Sequence, residues 1–223
     1  MHFFTMNNSL FFLFAVLVAV TLAQSDSCTS TQYQAIKQCY TTYFAGYNIT
    51  MSDTIPEYWD FHGVRKQMLE DDGLHVQPYI CQLANNLISC LAPYQCMGPN
   101  AYVQMNAANA TEAQDYWIDL AVSGYQCGTG YNLTMTEFYC IAFCRDRWTP
   151  ELDACDAQVS VDIANGMNVC AAMQKDFDCN SKIYSTCCDF NAGVYICNVD
   201  LTGANAVDPT CSNAGMLSCP QPK

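Results

Sequence analysis

The chain has 223 residues, a formal net charge of −13, and eight Lys plus Arg against twenty-one Asp plus Glu. So few cations exclude the basic face that a nucleic-acid partner requires, and they disfavour attachment to an anionic membrane surface. The sixteen cysteines point instead to an oxidising compartment.

Residues 1–23 read as a secretory signal peptide. Residues 10–22 are a nearly unbroken apolar run, LFFLFAVLVAVTL, ending at Thr21-Leu22-Ala23 with polar Gln24 and Ser25 beyond. That run suits a signal segment, since a membrane span needs about 20 residues. The expected mature protein is secreted and extracellular, with no membrane span after cleavage. The tail Cys219-Pro220-Gln221-Pro222-Lys223 carries no lipid-anchor signal.

In chain order, residues 30–47 place Tyr33, Ile36, Tyr40, Tyr43, Phe44 and Tyr47 at steps of three and four, which predicts an amphipathic helix. Residues 47–77 are mixed and charged, with Pro56 and two glycines, and predict a long loop with a short helix around 64–69. Gln77–Leu91 predicts the next helix: Pro78 suits its first turn, and Ile80, Leu83, Leu87 and Leu91 form its apolar face. Residues 93–110 read as a surface loop. Thr111–Gln114 and Thr134–Glu137 each fit a capping box. The second would open a helix over 135–145 with Cys140 and Cys144 on one face, tied to two neighbours. Thr149-Pro150-Glu151 is a helix start, and Leu152, Cys155, Val159, Ile163, Met167 and Cys170 continue its stripe. Gly166 weakens or splits that helix. Residues 179–198 predict one or two short helices, 194–197 being the best strand candidate. Residues 200–223 are turn-rich.

The expected fold class is all-α: compact disulfide-stapled helical domain(s) with a turn-rich C-terminal tail. The expected organisation is a signal peptide at 1–23, a Cys-rich helical domain at 24–199, open to division into two subdomains meeting near 127–134, and a disulfide-tethered tail at 200–223. The sixteen cysteines are Cys28, Cys39, Cys81, Cys90, Cys96, Cys127, Cys140, Cys144, Cys155, Cys170, Cys179, Cys187, Cys188, Cys197, Cys211 and Cys219. Eight disulfides are expected; sequence leaves their pairing open, except that adjacent Cys187 and Cys188 should take different partners. No CxxC pair occurs and the mature chain has only His62 and His75, so no structural metal and no cofactor are expected. Asn48, Asn109 and Asn132 each open a glycosylation sequon.

Two cysteine spacings recur. Ten residues separate Cys28 from Cys39 and Cys144 from Cys155; eight separate Cys81 from Cys90 and Cys170 from Cys179. The intervening stretches differ, 41 residues against 14. A divergent duplication and coincidence both account for this.

Chemical motifs are scarce. Cys187-Cys188-Asp189-Phe190-Asn191-Ala192 invites comparison with secreted phospholipase A2, but Asn191 and Ala192 stand where that family has its catalytic histidine and calcium-holding aspartate. His62 and His75, each with carboxylates nearby in sequence, are the only mature histidines suited to act as general base. The leader followed by Cys28 and Cys39, the Cys81–Cys90 segment, Tyr139-Cys140 and the run Cys170, Cys179, Cys187 resemble nematode secreted proteins built on domain of unknown function 19. The resemblance spans roughly residues 28–188. It implies a secreted, helical, disulfide-bonded protein without an established catalytic site, and it assigns no functional residue.

The leading functional expectation is a non-enzymatic extracellular protein that binds a protein, glycan or matrix partner. A helical carrier of a small apolar ligand is the second, and would need an enclosed apolar cavity. A small secreted hydrolase is the third, and would need His62 or His75 beside a nucleophile or carboxylate in a cleft.

Overall fold

The structure, a computed structural model, describes residues 27–222; the leader expected at 1–23 lies outside them. The described residues are all-α, with no strand among them. They divide at Cys127/Gly128 into an N-terminal and a C-terminal unit.

In the N-terminal unit, α1 (Ser30–Ala45) opens on a capping box: the Thr29 hydroxyl accepts from the Gln32 backbone N–H while the Gln32 amide oxygen accepts from that of Thr29. Its predicted stripe is its buried face, with Ile36, Cys39, Tyr40, Tyr43 and Phe44. The expected loop that follows is mostly helix. α2 (Tyr58–Asp72) ends where Gly73, at φ 62°, leads into a 3-10 turn, Gly73–Val76. Only Tyr58, Phe61 and Leu69 of α2 are buried, so its sequence carries little periodicity; packing against its neighbours holds it. α3 (Gln77–Leu91) has the predicted bounds and Pro78 in its first turn. A short α4 (Pro99–Gln104) interrupts the stretch expected to be loop.

α5 (Ala110–Gln126) corrects the first predicted capping box. Its cap is Asn109, whose Oδ1 accepts from the Glu112 backbone N–H, and Thr111 lies inside the helix. The Glu112 carboxylate is already engaged by the backbone N–H of Tyr58 at 2.8 Å and of Ala108.

In the C-terminal unit, α6 (Tyr131–Arg147) starts four residues ahead of its predicted start. Thr134 is no cap: its hydroxyl donates to the Gly130 carbonyl one turn back. α7 (Thr149–Ala164) starts at the expected signal, although Thr149 donates to the Arg145 carbonyl and caps nothing. Gly166, at φ 88°, splits the predicted long helix, and Asn168 caps α8 (Val169–Cys187) through Cys170 and Ala171. The end of α8 and α9 (Phe190–Val207), the latter capped by Asp189, take the place of the expected short helices and the strand candidate, and α9 runs past residue 200. The tail after it holds only a one-turn α10 (Thr210–Asn213).

Seven disulfides join the described residues. The N-terminal unit has Cys28–Cys96, Cys39–Cys90 and Cys81–Cys127. The C-terminal unit has Cys140–Cys188, Cys155–Cys179, Cys170–Cys211 and Cys197–Cys219. None crosses between the units. In each unit one central helix, α3 or α8, packs against an earlier helix (α1 or α7) and a later one (α5 or α9). It carries two cysteines nine residues apart, about two and a half turns, so they face opposite sides. One bonds that earlier helix (Cys90 to Cys39, Cys179 to Cys155), the other a cysteine near the end of the unit (Cys81 to Cys127, Cys170 to Cys211).

Candidate functional site

A groove of about 530 Å³, open to solvent, runs along α7 and α8. Trp148, Glu151, Ala154, Cys155 and Gln158 recur at steps of three and four, so they form one face of α7 and its N-terminus. Cys179, Lys182, Ile183 and Thr186 do the same on α8. The Cys155–Cys179 bond ties the two faces together and lines the groove. Half-buried Trp148 and Ile183 and the disulfide supply apolar surface, while Glu151, Gln158, Lys182 and Thr186 are exposed and polar. A second tie lies beyond the groove. Lys175 Nζ donates to Asp162 Oδ2 at 2.7 Å and Gln158 Nε2 to its Oδ1 at 2.8 Å, holding the Asp162 carboxyl below the usual carboxylate range.

The inward sides of the same two helices are acidic. Asp156 and Asp176 are buried, and Asn180 Nδ2 donates to both, at 3.4 and 3.5 Å. Burial, and then the charge of Asp156, pushes the Asp176 carboxyl up to about 8. Burial pushes Asp200 of α9 well above the usual range too, reinforced by Asp176 and Asp156 and opposed by Arg145 and Asn180. The Asp200 Oδ2 and Asn180 Oδ1 atoms are buried without a hydrogen-bond partner among the described residues. The three carboxylates do not converge into a cation cage: the one cluster among the described residues with metal-ligand spacing is sulfur-only, Cys144, Cys187 and Cys188, whose Sγ atoms lie within 4.8 Å of one another. Cys188 is already bonded to Cys140, while Cys144 and Cys187 are unbonded thiols. The expectation that Cys140 and Cys144 reach two different neighbours is therefore corrected. One turn apart on α6, both face the end of α8.

The interior of the N-terminal unit is aromatic. Phe44 meets Phe61 at 5.1 Å between ring centres, Tyr58 meets Tyr116 at 5.1 Å, and Tyr102 stacks on Tyr116 at 5.5 Å. The Tyr40 and Tyr102 hydroxyls share a hydrogen bond of 2.5 Å. The Arg65 guanidinium lies 5.2 Å from the Phe61 ring centre and grips Asp119 with two nitrogens, Nη1 donating to Oδ2 at 3.1 Å and Nη2 to Oδ1. The void lined by Tyr40, Tyr43, Leu87 and Tyr116 has about 10 Å³, room for one water and no organic ligand.

The sequence-named histidines both lie in the N-terminal unit. His62 sits on α2 against the rings of Tyr58 and Trp59, at 5.8 and 5.5 Å; His75 is exposed in the 3-10 turn. Neither lines the groove. The sequon asparagines Asn48, Asn109 and Asn132 are all exposed. Asn48 has a positive φ of 58° in the turn after α1, and Asn109 uses Oδ1 as a cap and leaves Nδ2, the glycan-accepting atom, outside that bond.

The groove residues Trp148, Glu151, Lys182 and Ile183 carried no signal in the sequence beyond helical spacing. Their site exists only because α7 and α8 are paired. No described helix is long and apolar enough to cross a membrane. No family model, no curated protein and no solved structure matches the chain.

Proposed function

We propose that this is a secreted, non-enzymatic protein that binds an extracellular partner, with the α7–α8 groove receiving an apolar side chain of a partner protein. Seven disulfides within 27–222 support an oxidising environment, as does the resemblance to the nematode secreted family in cysteine spacing. The observation that carries the binding reading is the groove itself: an apolar strip of Trp148, Ile183 and a disulfide, flanked by oppositely charged Glu151 and Lys182. An apolar anchor surrounded by a polar rim is the arrangement in which a few residues supply most of the binding energy. The exposed Tyr139 and Phe143, four residues apart on α6, add further aromatic surface in the same unit. A carrier of small apolar ligands is less well supported, because the groove is open to solvent and the N-terminal interior is filled by rings.

The test is retention of an extracellular partner by the immobilised full chain, compared with Trp148→Ala and Ile183→Asp variants. Both groove variants should lose at least tenfold in affinity while keeping the wild-type helical signal. A control at exposed Gln38 of α1, Gln38→Ala, should bind as wild type. Groove variants that bind as well as wild type would overturn the assignment.

A further inference from the structure

Six cysteines of each unit occur in the same order with related spacings. In the N-terminal unit they are Cys28, Cys39, Cys81, Cys90, Cys96 and Cys127, paired first with fifth, second with fourth, and third with sixth. In the C-terminal unit the corresponding six are Cys144, Cys155, Cys170, Cys179, Cys187 and Cys211. Second pairs with fourth and third with sixth, while first and fifth are the two unbonded thiols. The first-to-second spacing is ten residues in both and the third-to-fourth is eight in both. Buried positions agree as well. Counted from the second cysteine, the residues at −3, +1 and +4 are buried in both units: Ile36, Tyr40 and Tyr43 in one, Leu152, Asp156 and Val159 in the other. Shared spacing, pairing and burial make coincidence a poor account of the repeat.

We propose that the two units are copies of one six-cysteine, three-disulfide helical module, and that Cys144–Cys187 is the third bond of the second copy. The two sulfurs already lie within 4.8 Å of each other, and rotation of the side chains about their Cα–Cβ bonds is the motion that brings them to bonding distance, about 2 Å. Cys140–Cys188 and Cys197–Cys219 are then additions particular to the second copy. This goes beyond the binding reading and does not depend on it.

The oxidant is a disulfide of the secretory pathway, either a thiol oxidoreductase or oxidised glutathione. The half-buried Cys187, as thiolate, attacks that disulfide and releases one thiol. Cys144, fully buried, then loses its proton and attacks the Cys187 sulfur of the mixed disulfide, releasing the second thiol. One S–S bond forms here and one breaks in the oxidant. Two thiols are oxidised and two are produced. A metal centre is disfavoured by its ligand count. With Cys188 bonded to Cys140, only two thiolates remain, short of the four ligands of a closed site.

The full chain, secreted from a eukaryotic host, would be denatured without reductant, treated with iodoacetamide and weighed. All sixteen cysteines should escape alkylation. Chymotryptic cleavage after Phe143 separates Cys140 from Cys144, and their two peptides should emerge joined to the one carrying Cys187 and Cys188. In a Cys140→Ala/Cys188→Ala variant, the Cys144 peptide should remain linked to the Cys187 peptide; if that variant is not secreted, fragmentation of the joined wild-type peptides between Cys187 and Cys188 assigns the bond. Alkylation of both Cys144 and Cys187, a glutathione cap on Cys187, or a bound metal in the native mass with both thiols free would each overturn the proposal. So would Cys144 linked to Cys188.

Discussion

The two units hold different interiors on the same staples. The residue after the second cysteine of the six is Tyr40 in the N-terminal unit and Asp156 in the C-terminal unit. Three before the fourth cysteine stand Leu87 and Asp176, and one after it Leu91 and Asn180. All six are buried. One unit therefore fills its helix–helix contacts with rings and aliphatic chains, while the other places two carboxylates and an amide at the matching positions. Cross-links that hold the helices together lessen the need for an apolar core to do so, because they remove conformational freedom from the unfolded chain. The C-terminal unit has four bonds against three in the N-terminal unit, and it is the one that carries a buried acid, Asp176, on its central helix.

That contrast breaks most sharply at Phe44. The ring is fully buried and packs against Tyr40, Tyr43, Phe61 and Tyr116. Phe44→Ala should destabilise the N-terminal unit by about 3–5 kcal/mol. Native-state hydrogen exchange should show α1, α2 and α5 losing protection while α7 and α8 keep theirs. Equal loss in both units would mean that they unfold as one.

Next in size is the ion pair that the aromatic interior encloses. Arg65 and Asp119 have side chains only 14% and 11% exposed, so removing one partner strands the other. Arg65→Ala should cost about 3 kcal/mol in chemical denaturation, and it also removes the cation from the face of Phe61. A cost within about 0.5 kcal/mol would instead place the pair among surface ion pairs.

Close helix packing in the C-terminal unit is tested at Gly193. A Cβ there would lie 2.5 Å from the Ser181 carbonyl oxygen of α8, backbone that no rotamer change can move. Gly193→Ala should cost about 1–3 kcal/mol through forced separation of α8 and α9. In the N-terminal unit the three atoms nearest a Cβ at Gly46→Ala all belong to the Leu83 side chain, which can swing away, so thermal melting should show a smaller loss.

How much of this was legible in the sequence varies by element. α3 was fully so, because Pro78 marks its start and an apolar stripe runs its length. α2 was not. With three buried side chains in fifteen residues, its helicity depends on Phe61 and Arg65 finding partners far along the chain. At the start of α5, Asn109 and Thr111 both have capping side chains, and the choice turns on Glu112, whose carboxylate bonds Tyr58 from another segment. The pairing was partly within reach. The nine-residue spacing on α3 and α8 already requires each helix to bond in opposite directions, but it does not say to which cysteine. The groove waits on that answer, since Cys155–Cys179 ties its two walls together.

A further effect carries a pH signature. Asp176 has a carboxyl pushed up to about 8 in the folded protein, against about 4 in an unfolded chain. Between those values the folded state holds a proton that the unfolded state has released, so stability falls as pH rises from about 4 to 8 and levels off beyond. The groups facing it are Asp156 from α7, Asp200 from α9 and Asn180 of its own helix, with Arg145 of α6 acting on Asp200 in the opposite sense. Asp176→Asn keeps an oxygen to accept from Asn180 and cannot ionise. It should melt like the wild type near pH 4 and gain about 2 kcal/mol by pH 8, part of the full linkage being lost because Asp156 and Asp200 remain. The N-terminal counterpart is Asp115, pushed up to about 7 by burial and then by Glu112 and Asp119. Asp115→Asn should show the same rise, complete about one pH unit earlier. A stability difference independent of pH in either variant would mean that its aspartate titrates alike in the folded and unfolded protein, so that the interior holds an ionised carboxylate rather than a neutral acid.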